Sequence, residues 1–165
     1  MNSFQIVYSL SYNYKHEVFA FLIPFVMAII FAALALLRKN KKMEKVSFGV
    51  ISAVLFLVFT FVFLGSLLSY NHAKKVLDNG EYNEVIGIVE DYNAGAKHAR
   101  NKAEGTDKFY VDSVRFEISD RTSVGYNVIG ANGGCINRNG MVVKIRYYTN
   151  NNGENIILEI SIPTD

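Results

Sequence analysis

The sequence predicts an α-helical membrane hairpin followed by a small all-β domain. Residues 18–37 and 46–68 form apolar runs of 20 and 23 residues, and neither contains a charged side chain. Between them lies a short basic loop, residues 38–45. Beyond residue 70 the apolar residues recur at every second position, and Asn-Gly pairs punctuate the chain.

A helix needs about 20 apolar residues to cross a hydrocarbon core of roughly 30 Å. In lipid each backbone amide must be satisfied within the segment, so helix is the expected form of both runs. Averaged over 165 residues, 50% hydrophobic content and a net charge of +2 conceal this division. Residues 71–165 carry 11 Lys and Arg against 13 Asp and Glu, so the basic excess belongs to the hairpin loop. No nucleic-acid partner is expected from a domain that is itself slightly acidic.

The N-terminal segment, residues 1–17, alternates, with Phe4, Ile6, Tyr8, Leu10, Tyr12 and Tyr14 separated by mostly polar residues. That is a strand period. The other reading is an interfacial segment whose tyrosines lie among lipid headgroups. The first span, 18–37, is longer than a signal-peptide core and is read as an uncleaved anchor. Pro24 frees the carbonyl of Ala20 and predicts a kink near its start.

The loop sets the orientation. Arg38, Lys39, Lys41, Lys42 and Lys45 favour the cytoplasmic side, against Lys15, Lys74 and Lys75 on the other. Both termini are therefore expected outside, and the lack of any N-x-Ser/Thr sequon fits a bacterial inner membrane, which the chain is expected to cross twice. The second span, 46–70, has Gly49 and Ala53 one turn apart, as the first has Ala28 and Ala32. Small residues so placed let helices approach closely, within the hairpin or in a homodimer. With no ionisable residue inside either span, an ion path or transporter is not expected.

After the second span, residues 71–79 read as a helical extension that stops at Gly80. The β-like runs that follow are 82–92, 109–119, 123–129, 141–149 and 155–162. Val143, Ile145 and Tyr147 alternate with Lys144 and Arg146, giving one apolar and one wet face. Asn-Gly pairs at 79–80, 132–133, 139–140 and 152–153 supply turn chemistry. Residues 93–107 contain nothing apolar larger than Ala and read as a long mobile loop. Five short strands predict an antiparallel sheet or a five-stranded barrel, OB-like in size.

Chemical signatures are sparse. His16, His72 and His98 have no ligand partners at metal-site spacing, so no metal is expected. No nucleophile elbow, phosphate loop or dinucleotide motif is present, so neither a catalytic residue nor a cofactor is expected. Residues 130–134 (Gly-Ala-Asn-Gly-Gly) suit an anion-binding nest, but a flexible connection is the commoner use of such a run. Cys135 is the only cysteine and reads as a small buried hydrophobe. Lys97, His98, Arg100 and Lys102 form the one basic patch outside the hairpin loop, a candidate partner-binding loop for an acidic surface.

From Gly80-Glu81-Tyr82 through Ile86-Gly87-Ile88-Val89-Glu90, Phe109-Tyr110-Val111, Gly125-Tyr126-Asn127, Gly133-Gly134 and Val143-Lys144-Ile145-Arg146-Tyr147 to Ile156-Ile157-Leu158, the chain resembles a domain of uncharacterised bacterial small membrane proteins. These carry two N-terminal transmembrane helices. The resemblance implies a β-rich domain behind an anchor, and brings neither an activity nor site residues. A membrane-anchored binding module with an envelope partner is the expected function. A narrower form is an immunity protein against an envelope-acting interbacterial toxin, and an enzyme ranks third.

Overall fold

The computed structural model describes residues 3–11, 26, 29–30, 33, 42–95, 105–122 and 124–164. The chain divides into two units, Asn13–Ser69 and the combination of Met1–Tyr12 with Tyr70–Asp165.

Helix α1 runs over Lys42–Asn79, 38 residues. Its uncharged apolar part, 50–70, holds 21 residues, about 32 Å at 1.5 Å per residue. That exceeds a hydrocarbon core of roughly 30 Å, so α1 is long and apolar enough to cross a membrane. Leu57, Phe61 and Leu68 are 67, 82 and 69% exposed, and Val54, Val58 and Val62 are also uncovered. The hydroxyl of Thr60 donates to the Phe56 carbonyl at 2.7 Å, so this polar group is satisfied within the helix.

Two expectations change here. The described helix already includes residues 42–45 of the predicted loop 38–45, because Lys, Met and Glu are good helix formers. The predicted first span, 18–37, lies outside the described residues except for Val26, Ile29, Ile30 and Ala33, which are helical. Among the described residues one helix, rather than two, is long and apolar enough to cross a membrane.

The second unit is a six-stranded antiparallel sheet of order β1-β6-β5-β2-β3-β4. The strands are β1 (Phe4–Ser9), β2 (Asn83–Asn93), β3 (Thr106–Val111), β4 (Val114–Ser119), β5 (Val142–Thr149) and β6 (Asn155–Pro163). The alternating N-terminal segment is β1, and it pairs with the last strand, Ile6 opposite Ser161. Strand β2 serves both halves of the sheet. Asn83 to Ile88 pair with β5, and Val89, Glu90 and Asn93 with β3. The register shifts between Glu90 and Asn93, where Asp91 has φ 50°, and such a bulge bends the strand.

Inside the bend, Val85, Val89, Phe109, Val111, Phe116, Ile118, Val143, Ile145, Ile157 and Ile160 make the main core. Phe109 and Phe116 are cross-strand partners with stacked rings 5.5 Å apart, and Tyr147 meets Phe116 edge-on at 5.2 Å. A second cluster gathers the end of α1 onto the sheet. Ala73 and Val76 pack with Leu10, Val124 and Leu158, flanked by Tyr82, Tyr148 and Ile156. The helix stops where expected. Gly80 has φ 73°, its N–H donates to the Leu77 carbonyl, and that of Glu81 donates to the Val76 carbonyl. This pair of bonds is a Schellman cap.

Three strand expectations are corrected. The single run 109–119 is two strands joined by a tight turn, with Asp112 and Ser113 at φ 46° and 67°. Two adjacent positive φ values are what a two-residue hairpin needs. The run predicted over 123–129 makes no ladder in its described part, because Gly125 turns to φ 91° and only Tyr126 N–H reaches the Ile157 carbonyl. The five-stranded barrel does not form either. The sheet is open, with β1 and β4 at its edges, since β1 takes the side of β6 that a closing strand would need.

Candidate functional site

The predicted patch Lys97, His98, Arg100 and Lys102 lies outside the described residues. The ends of that connection are described. It is shorter than the 93–107 expected, because β2 continues to Asn93 and β3 begins at Thr106. Asp107, expected in a mobile loop, is fully buried. Its Oδ1 accepts from Gly95 N–H at 2.8 Å, and its Oδ2 accepts from Tyr92 hydroxyl and Gly130 N–H, both at 2.7 Å. One carboxylate thus ties together the end of β2, the start of β3 and the Gly130–Asn132 turn. Burial, followed by the hydrogen bond and charge of Asp107, pushes the Tyr92 phenol far above its ordinary pKa, so it stays a donor. Within the Gly-rich run the Gly130 N–H donates to this carboxylate, while those of Asn132, Gly133 and Gly134 donate to backbone carbonyls, so the run is a tight turn rather than an anion-binding nest.

The same loop folds back tightly. Gly134 N–H donates to the Ile129 carbonyl at 3.1 Å, and a Cβ on Gly134 would come within 2.3 Å of the Val128 carbonyl oxygen. Since the obstacle is backbone, it cannot swing aside. Gly134→Ala should therefore destabilise the domain by about 2–4 kcal/mol, read as a lowered urea midpoint. A shift worth less than about 0.5 kcal/mol would show that the loop re-forms freely and is no fixed part of the domain.

On the outer sheet face, neighbouring strands align four charges. Arg146 on β5 lies opposite Glu84 on β2 and Glu159 on β6. Its Nε donates to Glu84 Oε2 at 3.1 Å and its Nη1 to Glu159 Oε1 at 2.9 Å. The guanidinium also lies 5.0 Å over the Tyr82 ring, and Lys144 Nζ reaches Glu84 at 3.0 Å. Burial of Glu84 raises its pKa, but the hydrogen bonds and charges of Lys144 and Arg146 outweigh that and hold it below the usual value.

A cleft of about 420 Å³ lies beside β4. Thr106 of β3, Arg115, Glu117 and Ser119 of β4, Thr122, and residues 152–156 of the β5–β6 connection line it. Its size falls in the range of ligand pockets, roughly 300–1,000 Å³, and its walls are mostly hydroxyls, amides and the three charged side chains of Arg115, Glu117 and Glu154. Arg115 and Glu117 form an ion pair, and Lys108 reaches Glu117 at 3.5 Å. Exposed pairs of this kind are worth little and exchange readily. The chemistry assembled here is recognition by hydrogen bonds. Sequence reasoning missed it because 109–119 read as one strand, which hid the edge that β4 presents.

Cys135 is half-buried against the main core rather than fully enclosed. Burial pushes its thiol pKa up against the opposing hydrogen bond of Tyr126, which favours the unreactive thiol form. The Tyr126 hydroxyl accepts from Cys135 N–H, and among the described residues no buried side-chain polar atom lacks a partner. Among the described residues no three His, Cys, Asp or Glu side chains gather as metal ligands. No protein-family model, no curated protein and no solved structure matches this chain.

Proposed function

We propose that the protein is a membrane-anchored binding module that presents its β-domain to a protein partner on the outer side of a bacterial inner membrane. The observation that carries this reading is α1. It carries no charged residue over 46–70, a membrane-spanning length, and its last two turns supply Ala73 and Val76 to the domain's second core cluster. An anchor and a recognition domain are thus built on one helix. The charge asymmetry of the flanking residues, five basic groups in 38–45 against three outside, supports outward-facing termini. Tethering raises the effective concentration of the domain near an envelope partner without adding a contact.

A reporter active only outside the cytoplasm, fused after Asp165, should give signal. Replacing residues 18–68 by an unrelated two-span anchor of the same orientation should preserve the phenotype that deletion reveals. If the swapped chain is stable and correctly oriented yet inactive, the spans make specific contacts and the tether reading is wrong. A silent reporter with a loop labelled from outside overturns the orientation.

A further inference from the structure

We infer that the open edge of β4 binds an extended peptide segment of the partner by strand addition, with the cleft beside it as the seat. This rests on reading the β-domain as a binding module and names what it binds. The direction of the main-chain groups carries the argument. The Arg115 carbonyl accepts from Asn155 Nδ2 at 2.9 Å, and the Ser119 carbonyl accepts from Thr122 N–H at 3.1 Å. Neither donor belongs to β3. In an antiparallel ladder the N–H and C=O of one residue point the same way and successive residues alternate. Phe116 and Ile118 therefore bond their β3 partners Phe109 and Asp107, while Arg115, Glu117 and Ser119 turn outward. Among the described residues no strand pairs with that side of β4.

A row of alternate N–H and C=O groups is matched by another extended main chain. The Asn155 amide already stands on Arg115 as an N–H of such a strand would. The five residues from Arg115 to Ser119 offer roughly 16 Å of edge at about 3.3 Å per residue. The charges choose the side chains. An antiparallel segment would set a basic residue opposite Glu117 and, two positions on, an acidic one opposite Arg115, replacing an exposed ion pair that is worth little.

The probe is a fluorescent hexapeptide, Thr-Val-Lys-Thr-Glu-Val, titrated to about 1 mM onto the full chain in detergent micelles and read by anisotropy. In antiparallel register its first, third and fifth residues face Ser119, Glu117 and Arg115. Saturable binding is expected, and N-methylation of the Lys or Glu amide should weaken it at least tenfold. N-methylation of the second or fourth amide should change it little. Glu117→Pro removes an outward N–H together with the carboxylate, so Glu117→Gln is its control: Glu117→Pro should weaken binding at least tenfold beyond Glu117→Gln while the β3–β4 ladder survives. The N-methyl series leaves the protein untouched and decides the matter if Glu117→Pro does not fold. Absence of saturable binding, or binding indifferent to which amide is methylated, overturns the inference. So does self-association of the chain in place of peptide binding, which would make the edge an interface between copies. A phenotype that survives the anchor swap and is unchanged by Glu117→Pro sinks the edge alone and leaves the binding-module reading standing.

Discussion

Replacing Asp107 by Ala should cost the β-domain about 3–5 kcal/mol, the largest loss expected from a single substitution here. The carboxylate is fully buried and accepts from three donors at 2.7–2.8 Å, two of them backbone amides. Without it, Gly95 N–H, Gly130 N–H and the Tyr92 hydroxyl lose their acceptor, and each buried donor left unmade costs roughly 1–3 kcal/mol. Some will find water, which is why the total stays below the sum. The chain has 10 Tyr and no Trp, so urea unfolding in micelles can be followed by tyrosine fluorescence. Asp107→Asn keeps the shape but brings an NH₂ against an N–H, and should fall between wild type and Ala. Tyr92→Phe removes one donor, so the Ala substitution should cost less in that background. If Asn proves as stable as Asp, the carboxylate is not the shared acceptor.

The second large effect belongs to Arg146. Glu159 keeps only 9% of its side chain exposed, and its partner is the Arg146 guanidinium at 2.9 Å. Arg146→Met strands that charge and weakens the hold on Glu84, with an expected loss of about 2–3 kcal/mol at neutral pH. Converting Glu159 to Leu in the same chain should recover much of it, because the stranded charge, rather than the missing bond, is the main penalty. The pH dependence has a definite sign. Lys144 and Arg146 hold the Glu84 pKa below its unfolded value of about 4.3. A depressed folded pKa contributes stability that is complete above the unfolded value and is lost as pH falls through the folded one. Wild type should therefore lose stability below about pH 4.3, and Arg146→Met should lose less over that interval. Urea midpoints at neutral and acid pH measure the difference. Parallel pH curves would mean that Arg146 does not hold Glu84 charged.

What was legible in the sequence follows local rules. The strand over 142–149 shows itself because a half-buried antiparallel strand must alternate, and Ile145 between Lys144 and Arg146 does so. The helix stop at Gly80 shows itself because a left-handed cap needs glycine. The turn at Asp112 and Ser113 was hidden, since neither residue is a strong turn former and Val111 and Val114 preserve a β-rich composition. The cleft stayed hidden with it, because an edge exists only once strand order is known.

Asp107 shows the same limit from the other side. Its neighbours Gly105, Thr106 and Lys108 are polar or small, so local composition reads as loop. Burial comes from Tyr92, Gly95 and Gly130, which lie 15, 12 and 23 residues away in the chain. The sequence by itself determined the apolar helix, its cap and the β character of residues 82–162, since each depends on residues within a turn or two of one another. Tertiary structure alone decided that the N-terminal segment closes one side of β6, that the sheet stays open at β4, and that an acidic loop residue becomes a buried tie. Strand order and burial are set by contacts between residues far apart in the chain, and no local period encodes them.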